Sequence, residues 1–211
     1  MVQCPLCARV QEPRIVCIDC QAPLAANLDY FAALDLPRKL IVDLGHLEDT
    51  YHGIGRQVHP DRFATQTVKV REASSRVTAT LTRAYRTLRD PVARGGYWLE
   101  LNGHKLAANN QQVPAELADL VFDTQEELAD LRQAPGAPDV IAKLRDREAV
   151  VRRQLDQLGV ELTRNFAAFD RMNGASPDQL FGELKQNLSQ TAYLRTLLRD
   201  LEKTLDSAAK A

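Results

Sequence analysis

From Asp43 onward, apolar residues recur at helical spacing. Leu44, Leu47, Tyr51, Ile54 and Val58 step by three, four, three and four, which lays one stripe along a helix that Asp43 can cap. Pro60 stops it, because proline disfavours helical geometry in the residue before it, so His59 is the last residue held near the helix end. A second stripe of Val70, Val77, Leu81, Ala84 and Leu88 predicts a helix over about 68–88. Two apolar faces joined by a loop bury each other, so the pattern predicts an antiparallel hairpin with Pro60 at its tip. Asp90 and Pro91 then start a short helix, a cap followed by proline at the first helical position, and Asn102 and Gly103 end it.

Residues 104–113 (HKLAANNQQV) are polar and read as a linker. Beyond Pro114 the spacing predicts helices over about 115–133, 139–171 and 177–207. Breaks fall at Pro135, Gly136 and Pro138, then at Asn173, Gly174, Ser176 and Pro177. The leucines between Leu117 and Leu205 supply the core of a three-helix bundle. Strand-like alternation is almost absent, so the fold class is all-α.

The first 28 residues differ, with no helical periodicity, three prolines and all four cysteines. Cys4, Cys7, Cys17 and Cys20 form two C-x2-C pairs, each able to reach one metal from a tight turn, and together they make a closed tetrahedron of thiolates. Such a site suits structural zinc and leaves no open position to activate water. The competing reading is a pair of redox-active or disulfide-forming motifs, but no helix follows either pair to lower a thiol pKa. Only Arg9 and Arg14 are basic in this segment and no aromatic is present to stack a base, which argues against a nucleic-acid reader. The chain then divides into a knuckle (1–28), the hairpin region (29–105) and the bundle (106–211).

Charge sharpens that division. The whole chain is at -1, with no general attraction to polyanions, but residues 29–105 hold 12 basic against 9 acidic residues and 106–211 hold 13 against 17. No apolar run approaches the roughly 20 residues of a membrane span, and a cytosolic location is expected. His59, Pro60 and Asp61 stand in the hairpin loop, followed by Arg62 and Phe63. A histidine near an aspartate invites a catalytic reading, and a simple helix stop and cap is the plain one.

The segments DYFAALDLP (29–37), VDLGHLEDTY (42–51), HPDRFA (59–64) and AYRTLRDPVARGGYWLELNG (84–103) together resemble the J-domain of the HscB (Jac) family of iron-sulfur co-chaperones. The acidic tail with QEEL at 125–128 is similar, more loosely, to that family's scaffold-binding domain, and the cysteine knuckle resembles the extension of its eukaryotic-type members. The resemblance implies a co-chaperone and no enzyme. It implies that His59, Pro60 and Asp61, with Arg56 and Arg62 supplying charge, stimulate ATP hydrolysis by a heat-shock-70-class chaperone, HscA-like or DnaK-like. It further implies that Ala118, Phe122, Asp123, Glu126 and Tyr193 bind an IscU-type iron-sulfur scaffold. Helical spacing alone allows Phe122 and Tyr193 to be core residues instead. The helix before the loop carries Arg56 as its dependable cation, so Arg62, Arg76 and Arg83 are expected to share the electrostatic task. The knuckle is a candidate homodimer contact. Two other readings are a J-domain protein serving a different client and a zinc-dependent nucleic-acid-binding adaptor.

Overall fold

The computed structural model describes residues 1–24, 27–106, 113–133, 137–172 and 178–208. Linker residues 107–112, the breaks at Pro135 and Gly136, and those at Asn173, Gly174, Ser176 and Pro177 lie outside the described residues. The chain forms two compact units, Met1–Tyr97 and Trp98–Ala211.

The first unit opens with a small antiparallel ribbon, β1 (Val2–Gln3) paired with β2 (Val10–Gln11) in the register Val2 to Gln11. A four-residue helix α1 (Tyr30–Ala33) follows, which periodicity could not announce at that length. Asp29 starts it by accepting hydrogen bonds from the amides of Phe31 and Ala32, and it places Phe31 and Leu34 in the core. The hairpin is α2 (Leu44–Val58), a single 3₁₀ turn at Pro60–Phe63, and α3 (Val68–Arg89). Asp43 caps α2 as expected, its carboxylate accepting from Gly45 at 2.9 Å and His46 at 3.1 Å.

Every residue of the predicted α3 stripe is buried, as are Leu47 and Val58 of α2. Tyr51 and Tyr85 stack across the hairpin with ring centroids 4.3 Å apart. Leu44 departs from the expected stripe. It is exposed, because it lies in the first turn of α2, ahead of the residues that face the core.

Of the three glycines in α2, Gly45 lies in the first turn beside the capping Asp43 and Gly55 faces Leu81, whereas a Cβ on Gly53 would meet nothing within 4 Å. Gly53→Ala is therefore expected to stabilise the hairpin by about 1 kcal/mol through reduced backbone entropy of the unfolded chain. A thermal melt should rise by roughly 2 to 4 °C; a fall would mean that the glycine has a conformational role.

Helix α4 (Pro91–Leu101) ends at Gly103, whose φ of +77° is left-handed. His104 N donates to Leu99 O at 2.8 Å and Gly103 N to Glu100 O at 3.1 Å, the paired bonds of a Schellman ending. In the second unit, a 3₁₀ turn at Ala115–Leu117 leads into α5 (Ala118–Gln133), followed by α6 (Pro138–Arg171) and α7 (Asp178–Ala208). Pro138 opens α6 rather than belonging to the break, since its missing amide falls where no intrahelical donor is needed. Leu117, Val121, Leu128, Leu131, Leu144, Val151, Leu158, Leu194, Leu197 and Leu201 form one continuous core. Among the described residues, no helix is long and apolar enough to cross a membrane.

Candidate functional site

The tip of the hairpin is built by a local turn. His59 caps the 3₁₀ turn, its Nδ1 accepting from the Asp61 amide at 3.3 Å, and the Arg62 amide donates to His59 O at 3.0 Å. The His59 and Asp61 side chains are 56% and 89% exposed, with Nδ1 3.4 Å from an Asp61 carboxylate oxygen. Arg62 reaches back so that its guanidinium donates to Arg56 O at 3.3 Å. A cation over the last turn of α2 suits the negative end of that helix. Arg56, His59, Pro60, Asp61 and Arg62 are thus brought together at one end of the hairpin.

Arg76 lies 3.5 Å from Glu72, and Arg83 stays on the exposed side of α3. His46 is exposed and His52 lies 3.8 Å from Glu48, so neither joins the cysteines.

In the second unit, α5 has two faces. Val121, Thr124, Leu128 and Leu131 point inward, continuing from Leu117 of the preceding turn, while Ala118, Phe122 and Glu126 lie on the outer face at steps of four. Phe122 is 71% exposed, which excludes it from the core. Tyr193 behaves differently, being half-buried against the core of the bundle. Asp123 is held at the flank of the face by Arg147 of α6, at 2.9 Å, and Arg147 also reaches Glu127 at 3.2 Å. The hydrogen bonds it donates to Glu127, then the field of both carboxylates, raise the guanidinium pKa further above its already high value. Spacing could not reveal this pairing, because the partners are 24 residues apart on different helices. Arg152, exposed on α6, bonds to Glu148 and Glu202, each at 2.6 Å.

The knuckle is two turns of the same construction. At the first, Ala8 N donates to Cys4 O at 3.1 Å and Cys4 N to Arg9 O at 2.8 Å; at the second, Gln21 N donates to Cys17 O at 3.0 Å and Cys17 N to Ala22 O at 2.9 Å. Ala8 and Gln21 adopt left-handed φ of 59° and 56°, which turns each chain back after its second cysteine. All four sulfurs lie within 4.8 Å of one another, with Cys4 to Cys20 at 3.5 Å and Cys7 to Cys17 at 3.6 Å. A tetrahedral thiolate site with bonds near 2.3 Å has sulfur-sulfur edges of roughly 3.8 Å, so the four cysteines are positioned to bind a metal ion.

Amide donors from Cys20 and then Asp19, acting against burial, bring the Cys17 thiol down to about 7. Burial pushes Cys20 up to about 12. Gln11, which the sequence did not single out, is buried beside this site with its side-chain oxygen 3.3 Å from the Ile18 amide. Arg9 is bound to Asp19 at 2.7 Å, which leaves the knuckle little positive charge for a phosphate backbone.

No protein-family model matches the chain. The co-chaperone protein HscB of Proteus mirabilis (strain HI4320) is 34% identical over 117 residues, which cover 54% of this chain and 67% of that protein. The crystal structure of human co-chaperone protein HscB is similar to this fold with a TM-score of 0.71, at 23% identity, over 95% of this chain and 97% of that one. Chaperone HscB from Vibrio cholerae is similar with a TM-score of 0.65, at 22% identity, over 85% of this chain and 99% of that one. The two solved structures carry the same architecture, and the Proteus relative carries the kinship: the chain belongs to the HscB co-chaperone family.

Proposed function

We propose that this chain is a non-enzymatic co-chaperone of iron-sulfur cluster assembly, working in the cytoplasm. Its hairpin tip, His59, Pro60 and Asp61 flanked by Arg56 and Arg62, docks on a heat-shock-70-class chaperone and stimulates its ATP hydrolysis. The outer face of α5, Ala118, Phe122, Asp123 and Glu126, together with Tyr193 of α7, binds an IscU-type scaffold. Cys4, Cys7, Cys17 and Cys20 hold zinc, which ties the knuckle together and takes no part in chemistry. The division into 1–28, 29–105 and 106–211 is the division of labour among metal site, chaperone contact and scaffold contact.

The observation that carries this reading is the exposed tripeptide at the end of two antiparallel helices. The mechanism is allosteric. A docked loop shifts the partner's conformational equilibrium by the difference between its contacts with the two states, and a scaffold held by the same molecule gains local concentration at the chaperone. The test measures the chaperone's ATPase rate with scaffold present, for the intact chain and for Asp61→Asn.

For the scaffold half, the expected result concerns Phe122, an aromatic of this exposure whose burial in an interface makes it an anchor. Phe122→Ala combined with Tyr193→Ala is expected to weaken scaffold capture by roughly 100-fold, on the scale of one or two anchor residues at about 2 kcal/mol each with incomplete additivity. Isothermal titration against the scaffold measures it. Undiminished binding would move the scaffold contact elsewhere, and no binding by the wild-type chain would replace the client.

A further inference from the structure

The carbonyl of Val58 sits where α2 cannot supply its partner. In an unbroken helix it would accept from the Arg62 amide, but that amide donates to His59 O, and Pro60 has no amide hydrogen. Val58 is fully buried, so water does not replace the missing donor, and an unpaired carbonyl there would carry the full desolvation cost. Helix α3 supplies two donors instead. The Ser74 hydroxyl reaches Val58 O at 2.6 Å and the Thr78 hydroxyl at 3.3 Å.

Ser74 has no exposed surface, and Thr78 is half-buried one turn further along α3. Hydroxyls in helices commonly bond back to their own fourth preceding carbonyl, as Thr82 does to Thr78 O at 3.0 Å. Ser74 and Thr78 reach across the hairpin to Val58 O. Ser74 also occupies a place in the buried stripe between Val70 and Val77, where an apolar side chain would serve the core without a polar atom to satisfy.

We infer that Ser74 and Thr78 are positioning residues for the His59-Pro60-Asp61 loop: their two hydroxyls clamp the last carbonyl of α2 and fix the direction in which the tripeptide leaves the hairpin. This rests on the chaperone reading of that loop. His59 follows Val58 directly, and its Nδ1 and carbonyl accept the amides of Asp61 and Arg62, so the clamp lies one residue from the turn that displays the tripeptide. A single hydrogen bond leaves the accepting carbonyl free to swing about it; two donors from adjacent turns of α3 do not.

The experiment uses the full chain, as wild type, as Ser74→Ala with Thr78→Val, and as Thr78→Ser, which keeps the hydroxyl. Amide hydrogen exchange at Asp61 and Arg62 is measured beside the concentration of co-chaperone giving half-maximal chaperone ATPase. In the double variant, exchange at both amides and the half-maximal concentration are each expected to rise about fivefold, the scale of a lost hydrogen bond, with maximal stimulation nearly kept. Thr78→Ser should match wild type in both. A role confined to stability would lower the melting temperature without singling out these two amides. Unchanged exchange at Asp61 and Arg62 overturns the inference whatever the chaperone does, while absence of stimulation by the wild-type chain overturns the functional reading and leaves the exchange result to judge the clamp. Should the double variant fail to fold, Thr78→Val alone is read by the same criteria.

Discussion

Asp61→Asn is expected to abolish chaperone stimulation and leave the fold as it is. The side chain is 89% exposed and its amide, which bonds to His59 Nδ1, survives the substitution. A surface change of this kind moves stability by no more than about 0.5 kcal/mol. What disappears is a formal negative charge at an exposed point of the hairpin tip. A hydrogen bond to a charged group contributes about 1.5 to 3 kcal/mol, against about 0.5 to 1.5 for a neutral pair. Allosteric coupling between partners is itself about 1 to 3 kcal/mol, so one charged contact is as large as the whole effect it transmits. Steady-state ATPase rates at saturating co-chaperone measure this directly. Equal stimulation by the aspartate and asparagine forms, with matching melts, would remove the tripeptide from the mechanism.

The hairpin was legible because its information is local. An apolar stripe, a capping aspartate and a proline each act within a few residues, and α2 and α3 follow them. The carbonyl that Pro60 leaves stranded was less legible, since its donors come from Ser74 and Thr78 on the other helix; the visible hint was a serine inside a buried stripe. The α1 helix was missed because four residues cannot show a period of 3.6, although Asp29 is placed to cap it. Phe122 and Tyr193 show the limit more sharply. Periodicity gives the spacing of a helix face but not its direction, and only the packing of α5 on its neighbours turns Phe122 outward and leaves Tyr193 half against the core. Asp123 belongs to the scaffold patch that the resemblance implies, and its tie to Arg147 depends on helix register that no local rule supplies.

Removing the metal should dissolve the knuckle and spare the helices. The buried cluster that would hold it consists of Cys4, Cys17 and Ala22, with Cys20 and Leu24 packed against them, and so contains almost no hydrocarbon beyond the cysteine side chains themselves. At about 25 cal/mol per Å² such a cluster cannot offset the ordering of some twenty residues, whereas a structural thiolate site contributes on the order of 10 kcal/mol. Cys17→Ser, or a strong chelator on the wild-type chain, is therefore expected to erase the dispersed amide signals of residues 1–24 while far-ultraviolet circular dichroism changes little, since this segment holds no helix. Acid should act in the same direction. Metal uptake displaces protons from the thiols, and Cys20, pushed up to about 12, holds its proton most tightly, while Cys17, at about 7, gives its proton up near neutrality. Apparent metal affinity must then fall as pH drops from about 8 to about 6, because protons compete for every sulfur. Elemental analysis across that range, with one equivalent bound at the upper end, measures it; an ordered knuckle in metal-free protein would show that the ribbon and the Arg9 to Asp19 pair suffice, and the cysteines would then need another purpose.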